Sequence, residues 1–385
     1  MKKNLYVMYA IALLQGMVFY GPIATLYRQA QGVTVFQITL IEGISLGLAI
    51  LLEIPWGIAA DKIGYRKTII FCSGLYFVSK IVFWKATGFG GFLAERILLS
   101  VVEAGFSGVD TSILYLSCQG KNSQKVFGIY NSMSMAGLLL AAAVFSVFVR
   151  DNYSLAGFLT VVSYGLAALL SLGLTEVKQA ASAAAPAEPF RATLHRTLGN
   201  RTMLLFLAAV AFLTEAHQTI TVFLNQLQYE RCGLSSTAIG VLYIAATVLG
   251  MLGFCSAPLT KRMGTRVFCL LFCGLAAAAC LVLGATQTAF PAVVGILTLR
   301  ISNTLFQPFR AQLQNRQIQT ENRATALSIH AMIVNCIAIA TNLIFGALSD
   351  WSLPAAFFFG AGICVCSLLL FSLWHKRNLS AEQAR

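Results

Sequence analysis

Charge is what this chain has least of. Asp, Glu, Lys and Arg make up 11% of its 385 residues against 58% that are hydrophobic, and the mean hydropathy is +0.76. Soluble domains carry about 25% charge. No nucleophile stands beside a base and an acid, and no cluster has metal-ligand spacing. The run Gly88-Phe89-Gly90-Gly91 lacks the strand and basic residue of a phosphate cradle and reads as an outer turn. Ten cysteines are present, yet only Cys232 falls in an outer segment, so a disulfide framework is not expected. Cys269 with Cys273 and Cys364 with Cys366 have no His or carboxylate neighbours and read as small buried residues.

Long apolar sequence is what the chain has in quantity. About 20 such residues cross a hydrocarbon core, and twelve spans are read, near 5–27, 36–57, 68–86, 90–118, 126–149, 155–175, 202–228, 236–259, 266–285, 290–313, 325–349 and 354–375. They leave no room for a soluble catalytic domain, so the reading is an all-α membrane protein and not an enzyme. The start, Met1-Lys2-Lys3 before a long run containing Gln15 and Tyr20, reads as a retained first helix.

The net charge of +13 reports topology. With a cytoplasmic amino terminus, the inward segments hold most of the Lys and Arg, among them Lys62, Arg66, Lys67, Arg262, Arg266 and Arg310. The outward ones hold Arg28, Lys85, Arg150 and Arg231. This bias places both termini in the cytoplasm, and it accounts for the basicity without a nucleic-acid partner.

The longest polar interval, residues 175–200, is rich in Ala, Pro and charge and reads as a cytoplasmic linker between a bundle at 1–174 and another at 201–385. The two are pseudo-symmetric six-helix bundles. Asp61-Lys62-Ile63-Gly64-Tyr65-Arg66 follows the second span and Lys261-Arg262-Met263-Gly264-Thr265-Arg266 follows the eighth, a short repeat at matching places.

The first of these turns, with Gly57 ahead of it and Lys67 behind, resembles the signature G-x-x-x-D-[RK]-x-G-x-[RK]-[RK] of the major facilitator superfamily, and every defining position is filled. Arg96 resembles the arginine of that superfamily's fourth-helix motif. The resemblance implies a twelve-helix transporter without cofactor or metal, working by alternating access. In it Gly57, Asp61, Gly64, Arg66 and Lys67 help to hold a cytoplasmic gate, and the first, fourth, seventh and tenth helices line a central cavity. The fifth span, SMSMAGLLLAAAVF, keeps only Gly137 of the G-x-x-x-G-P-x-x-G-G pattern of many drug/proton antiporters.

Buried polarity gathers on those four spans. The fourth carries Arg96, Ser100, Glu103, Ser107 and Asp110 along one helical face, and the tenth repeats the register with Arg300, Thr304, Gln307, Ala311 and Gln314, Asn303 beside it. The first has Gln15 and Tyr20; the seventh has Thr214, Gln218, Thr221 and Asn225, with Glu215 and His217 adjacent. Charge at the bilayer centre costs about 2.5–3.5 kcal/mol on insertion scales, so such residues face water or a partner. Two readings stand for the arginines. Either they bind substrate, or they pair to set helix packing, Arg96 with Glu42 at equal depth and Arg300 with Glu215. Glu103, then Asp110 and Glu215, are the candidates to carry a coupled proton or meet a cationic group; plain cavity lining is the alternative. Lys80, inside the third span, has no evident partner.

The expectation is a monomeric transporter of the cytoplasmic membrane, lying in the lipid bilayer and moving a small organic solute with protons. Export comes first, since the pattern resembles the drug-efflux branch. Nutrient uptake and lipid flipping on the same fold are the alternatives.

Overall fold

The structure, a computed structural model, describes residues 2–106, 109–118, 123–177, 190–317 and 323–383; certain side chains inside helices, those of residues 57–62 among them, lie outside the description. Its regular structure is helical. The first part of the chain forms α1 (Lys2–Gly16), α2 (Ala24–Ala30), α3 (Val35–Ile63), α4 (Tyr65–Lys85), α5 (Gly88–Phe106), α6 (Val109–Ser117), α7 (Ser123–Val144) and α8 (Tyr153–Ser171). The remainder forms α9 (Phe190–Gly199), α10 (Arg201–Thr219), α11 (Asn225–Arg231), α12 (Ser236–Leu249), α13 (Ser256–Ala285), α14 (Ala289–Gln317), α15 (Arg323–Trp351) and α16 (Leu353–Gln383). Contacts divide the chain into two compact units, Met1–Ala183 with Ser235–Ile244, and Ala184–Leu234 with Ala245–Arg385.

Eleven stretches among the described residues are long and apolar enough to cross a membrane. The predicted fourth span is the exception. It appears as α5 and α6, with Ser107 outside the described residues, and Glu95, Arg96, Glu103 and Asp110 make it the most charged of the series. Leu51, Phe148, Leu169 and Phe290 are among many large apolar side chains left exposed. Such a surface suits acyl chains, and without a hydrophobic drive between helices, association there depends on close packing and buried polar contacts.

The predicted first span is not one helix. α1 stops at Gly16, and a 3-10 turn at Gly21–Ile23, with Pro22 near its start, precedes α2. Backbone that leaves the helix at membrane depth needs partners from protein. Here α8 supplies them: Ser163 Oγ donates to the Leu14 carbonyl, Tyr164 Oη donates to the Gln15 carbonyl at 2.5 Å, and the Phe19 N–H donates to Thr160 Oγ1 at 3.0 Å. Asn4 adds a tie at the other end, its Nδ2 donating to the Thr175 carbonyl at 2.9 Å.

Gly137, the lone glycine kept in the fifth span, has a packing role. A Cβ there would strike the Leu13 carbonyl, and one at Gly16 would strike the Ser134 carbonyl, so α1 and α7 touch backbone to backbone. The repeated turns at Gly64 and Gly264 also agree in conformation. Gly64 has φ +96° and Gly264 φ +76°, a region that side chains disfavour. In the interval predicted as a linker, residues 178–189 lie outside the description, but Phe190–Gly199 is a helix packed on α15. Its sequence explains this, since no Gly or Pro interrupts FRATLHRTL and Phe190, Leu194 and Leu198 recur one turn apart.

Gly137→Ala is expected to cost ~1–3 kcal/mol by overpacking, read as a lower melting temperature of the purified protein. Gly274→Ala, where a Cβ would meet nothing within 4 Å, should leave melting unchanged.

Candidate functional site

The first polar face belongs to α5 and α6. Arg96 sits about two turns before Glu103, on the side of α5 that packs against α3, and its Nη2 lies 2.7 Å from both carboxylate oxygens of Glu42. The depth match between the two residues has therefore become an ion pair, with side chains 19% and 18% exposed. One turn on, Ser100 Oγ and Ser45 Oγ are 2.6 Å apart, so polar contacts join α5 to α3 along this edge.

Lys80, without an evident partner in the sequence, has one in the fold. Its Nζ lies 3.6 Å from Glu95 Oε1, and the two side chains are 5% and 1% exposed. The ammonium also donates to Tyr20 Oη at 3.1 Å and lies 5.0 Å from the ring of Tyr76, 5.2 Å from Tyr164 and 5.8 Å from Tyr20. A lysine so enclosed exchanges water for a carboxylate, a hydroxyl and three ring faces. Tyr20 stacks on Phe83 at 3.9 Å and is buried in this cage. Gln15, on α1, has its amide nitrogen buried without a hydrogen-bond acceptor.

Two of the four charges in the span are thus neutralised by neighbouring helices and do not depend on water. Glu103 differs. It is exposed, between the edge of α5 that meets α3 and the edge that meets α4, and it makes no ion pair or hydrogen bond among the described residues. Asp110, on α6, is half-buried and accepts from Tyr130 Oη of α7 at 3.5 Å.

At the turn between α3 and α4, Arg66 reaches the chain that leaves α8. Its Nε donates to the Leu174 carbonyl at 2.6 Å and its N–H to Glu176 Oε1 at 3.3 Å. A side chain at Gly64 would meet that Glu176 carboxylate at 3.0 Å. Lys67 is exposed. Gly57 and Asp61 belong to the last turns of α3, and their side chains lie outside the description.

The second polar face belongs to α14. A turn of 3-10 helix, Gly250–Cys255, follows α12, and a change from i−4 to i−3 bonding there releases backbone carbonyls for side-chain donors. Arg300 Nε takes the Ala246 carbonyl at 3.0 Å, and its Nη2 occupies the space a Cβ at Gly250 would need. Asn303 is buried and Gln307 exposed. On α10, Glu215 is buried and accepts from Thr219 Oγ1 at 2.7 Å, which also approaches Asn342 Oδ1 at 3.3 Å. Gln218 is exposed. A π-helical turn, Ile220–Leu224, breaks the register after α10, so Thr221 and Asn225 do not continue the face that Thr214 and Gln218 begin. His217 is fully buried.

Membrane-length helices that carry buried polarity on two such faces suit the passage of a polar solute. The chain belongs to the Major Facilitator Superfamily, which it matches over residues 5–316. Its fold is similar to that of the nucleoside transporter NupG (15% identity, 97% of this chain and 99% of that one covered, TM-score 0.80). It is similar also to a POT family transporter solved with 5-aminolevulinic acid (13%, 97% and 96%, 0.75) and to a bacterial homologue of the human lysosomal transporter Spinster in an inward-facing, unoccupied conformation (16%, 97% and 95%, 0.71). No curated protein matches the chain in sequence.

The two ion pairs were within reach of one rule, depth below the outer membrane edge. Lys80 lies six residues from the end of its predicted span at 86, as Glu42 and Arg96 lie six from theirs at 36 and 90, and Glu95 lies five from the latter. Removing one member of the Lys80–Glu95 pair, as in Glu95→Gln, should cost about 3–5 kcal/mol because it strands a buried charge. The double change Lys80→Met with Glu95→Leu should recover most of that loss in thermal melts. For the more exposed pair, Glu42→Arg with Arg96→Glu should melt higher than either single reversal.

Proposed function

We propose that the chain moves a small polar or amphipathic organic solute across the cytoplasmic membrane by alternating access, coupled to protons and running in the direction of export. Both termini are cytoplasmic in this reading, and the protein acts as a monomer. The observation that carries it is the isolation of Glu103. Glu95 and Glu42 are matched with cations and Asp110 with a tyrosine, whereas Glu103 presents its carboxylate on an exposed face of a membrane span. A charge at that depth is tolerable where it faces water, and there it can exchange a proton with a moving solution. Asp110 and Glu215 are the next carriers in order.

The solute contacts we assign to Gln218, Asn303 and Gln307, with Arg96 and Arg300 holding the helices that present them; Gln15 and Tyr20 support the first face from within. The cytoplasmic signature, Gly57, Asp61, Gly64, Arg66 and Lys67, serves the gate, and the bond from Arg66 to Leu174 supports a latch at that end. The mixture of amides, one free carboxylate and nearby aromatic rings suits an organic molecule better than an inorganic ion.

The test is solute movement in proteoliposomes under an imposed pH gradient, with a metabolite and drug panel identifying the solute. Glu103→Gln should fold normally and lose gradient-driven movement while keeping exchange at equal pH. Gradient-driven movement that survives the substitution removes Glu103 as the carrier. Accumulation against the expected sense would make the protein an importer.

A further inference from the structure

The polar face of α14 carries a cation that no acid neutralises among the described residues. Arg300, Asn303, Gln307, Arg310 and Gln314 follow one another at helical spacing and form a single stripe. The other sides of the helix are taken. α13 covers the back, with Phe268 packed 4.6 Å from Phe309 and Ser256 Oγ donating to the Leu305 carbonyl at 2.6 Å. α16 brings Phe371 to within 5.8 Å of Phe306. The turn after α12 borders one edge of the stripe through Arg300, and α10 borders the other, where Arg310 Nη1 donates to Thr214 Oγ1 at 2.9 Å. Between those borders Gln307 is exposed.

Arg310 sits at the inner end of its span, where a positive charge serves topology, but its surroundings ask for more. It is half-buried, and among the described residues its hydrogen bond goes to a neutral hydroxyl. The span cations of the first unit are treated otherwise, Arg96 lying 2.7 Å from a carboxylate and Lys80 3.6 Å. The register sharpens the contrast. Counted from Arg96 and from Arg300, the positions of Glu103 and Asp110 are held on α14 by Gln307 and Gln314, so the acids of one face are amides on the other. A guanidinium has five donors in a planar fork, and Thr214 engages one nitrogen, leaving the rest of the fork for a two-oxygen acceptor.

We propose that Arg310, braced by Thr214 and flanked by Gln307, recognises an oxyanion group of the transported solute, so that the substrate is an organic acid or a zwitterion carrying a carboxylate or phosphate. The inference rests on the transporter reading above and names the substrate class of that site. Thr214 holds the guanidinium against α10, and Gln307 offers an amide donor one turn away. A neutral solute would leave the cation unmatched, and a purely cationic one would be repelled by it.

The experiment uses the purified full-length protein and two matched probe pairs, benzoate with benzamide and phenyl phosphate with benzyl alcohol, with binding followed by calorimetry. The acid of at least one pair should bind at least about tenfold tighter than its neutral partner. Arg310→Gln should abolish that preference, Arg310→Lys should keep a weakened part of it, and Gln307→Leu, at an exposed position, should reduce acid binding several-fold without altering the fold. Equal binding of acid and neutral probes, a preference that persists in Arg310→Gln, or no binding of either acid overturns the inference. Counterflow in proteoliposomes with the same probes and the metabolite panel separates the two readings. Transport confined to neutral or cationic solutes sinks the oxyanion site and leaves the transporter standing, while a protein that moves no solute at all sinks the transporter reading itself.

Discussion

Water is missing from the interior of a bilayer, and every polar group placed there has to be satisfied by protein or by an aqueous cavity. The arrangement of the first unit follows from this one constraint. Where α1 ends early, the carbonyls of Leu14 and Gln15 are taken by hydroxyls from α8. Where α4 carries Lys80 into the interior, α5 meets it with Glu95 and three tyrosines surround the ammonium. Where α5 carries Arg96, α3 answers with Glu42. The pairings also specify which helices are neighbours, since a shifted α5 would strand several charges together. Glu103 has no ion pair or hydrogen bond among the described residues, and the proposed proton coupling is built on that difference.

Equivalent positions in a repeated architecture have taken different work. Arg96 and Arg300 share a register, yet the first is bound to a carboxylate on a neighbouring helix and the second to a backbone carbonyl at a turn where α12 tightens. The small difference in backbone bonding at Gly250 makes the Ala246 carbonyl available to the guanidinium. The turns at Gly64 and Gly264 diverged less. Gly64 and Gly264 keep the same unusual conformation because the direction of the chain there leaves no alternative for a residue with a side chain.

Much of this was legible in the residues. The apolar runs mark the spans, the filled loop signature marks the superfamily, and equal depth links Glu42 to Arg96. The same depth rule reaches Lys80 and Glu95, but the partner is visible only once α4 lies beside α5. The interruptions at Gly21–Ile23, Ile220–Leu224 and Gly250–Cys255 were hidden for a different reason. A hydrophobic run has the same composition whether its helix is straight, tightened or widened. Helix α9 was masked by the polar composition of its surroundings, and Arg310 by its place among the cations that set topology.

The backbone contact between α1 and α7 has a consequence for how such a protein can diverge. At Gly16 and Gly137 no side chain of any kind fits, so mutational drift is closed at the seam that holds two helices together. On α14 the reverse holds, since Gln307 projects from a face whose other sides are already packed. Variation is thereby channelled away from the frame and toward the groups that would meet a solute. If the proposed solute contacts lie on that stripe, a lineage built on this frame changes what it carries by single exchanges there while its helices stay where they are.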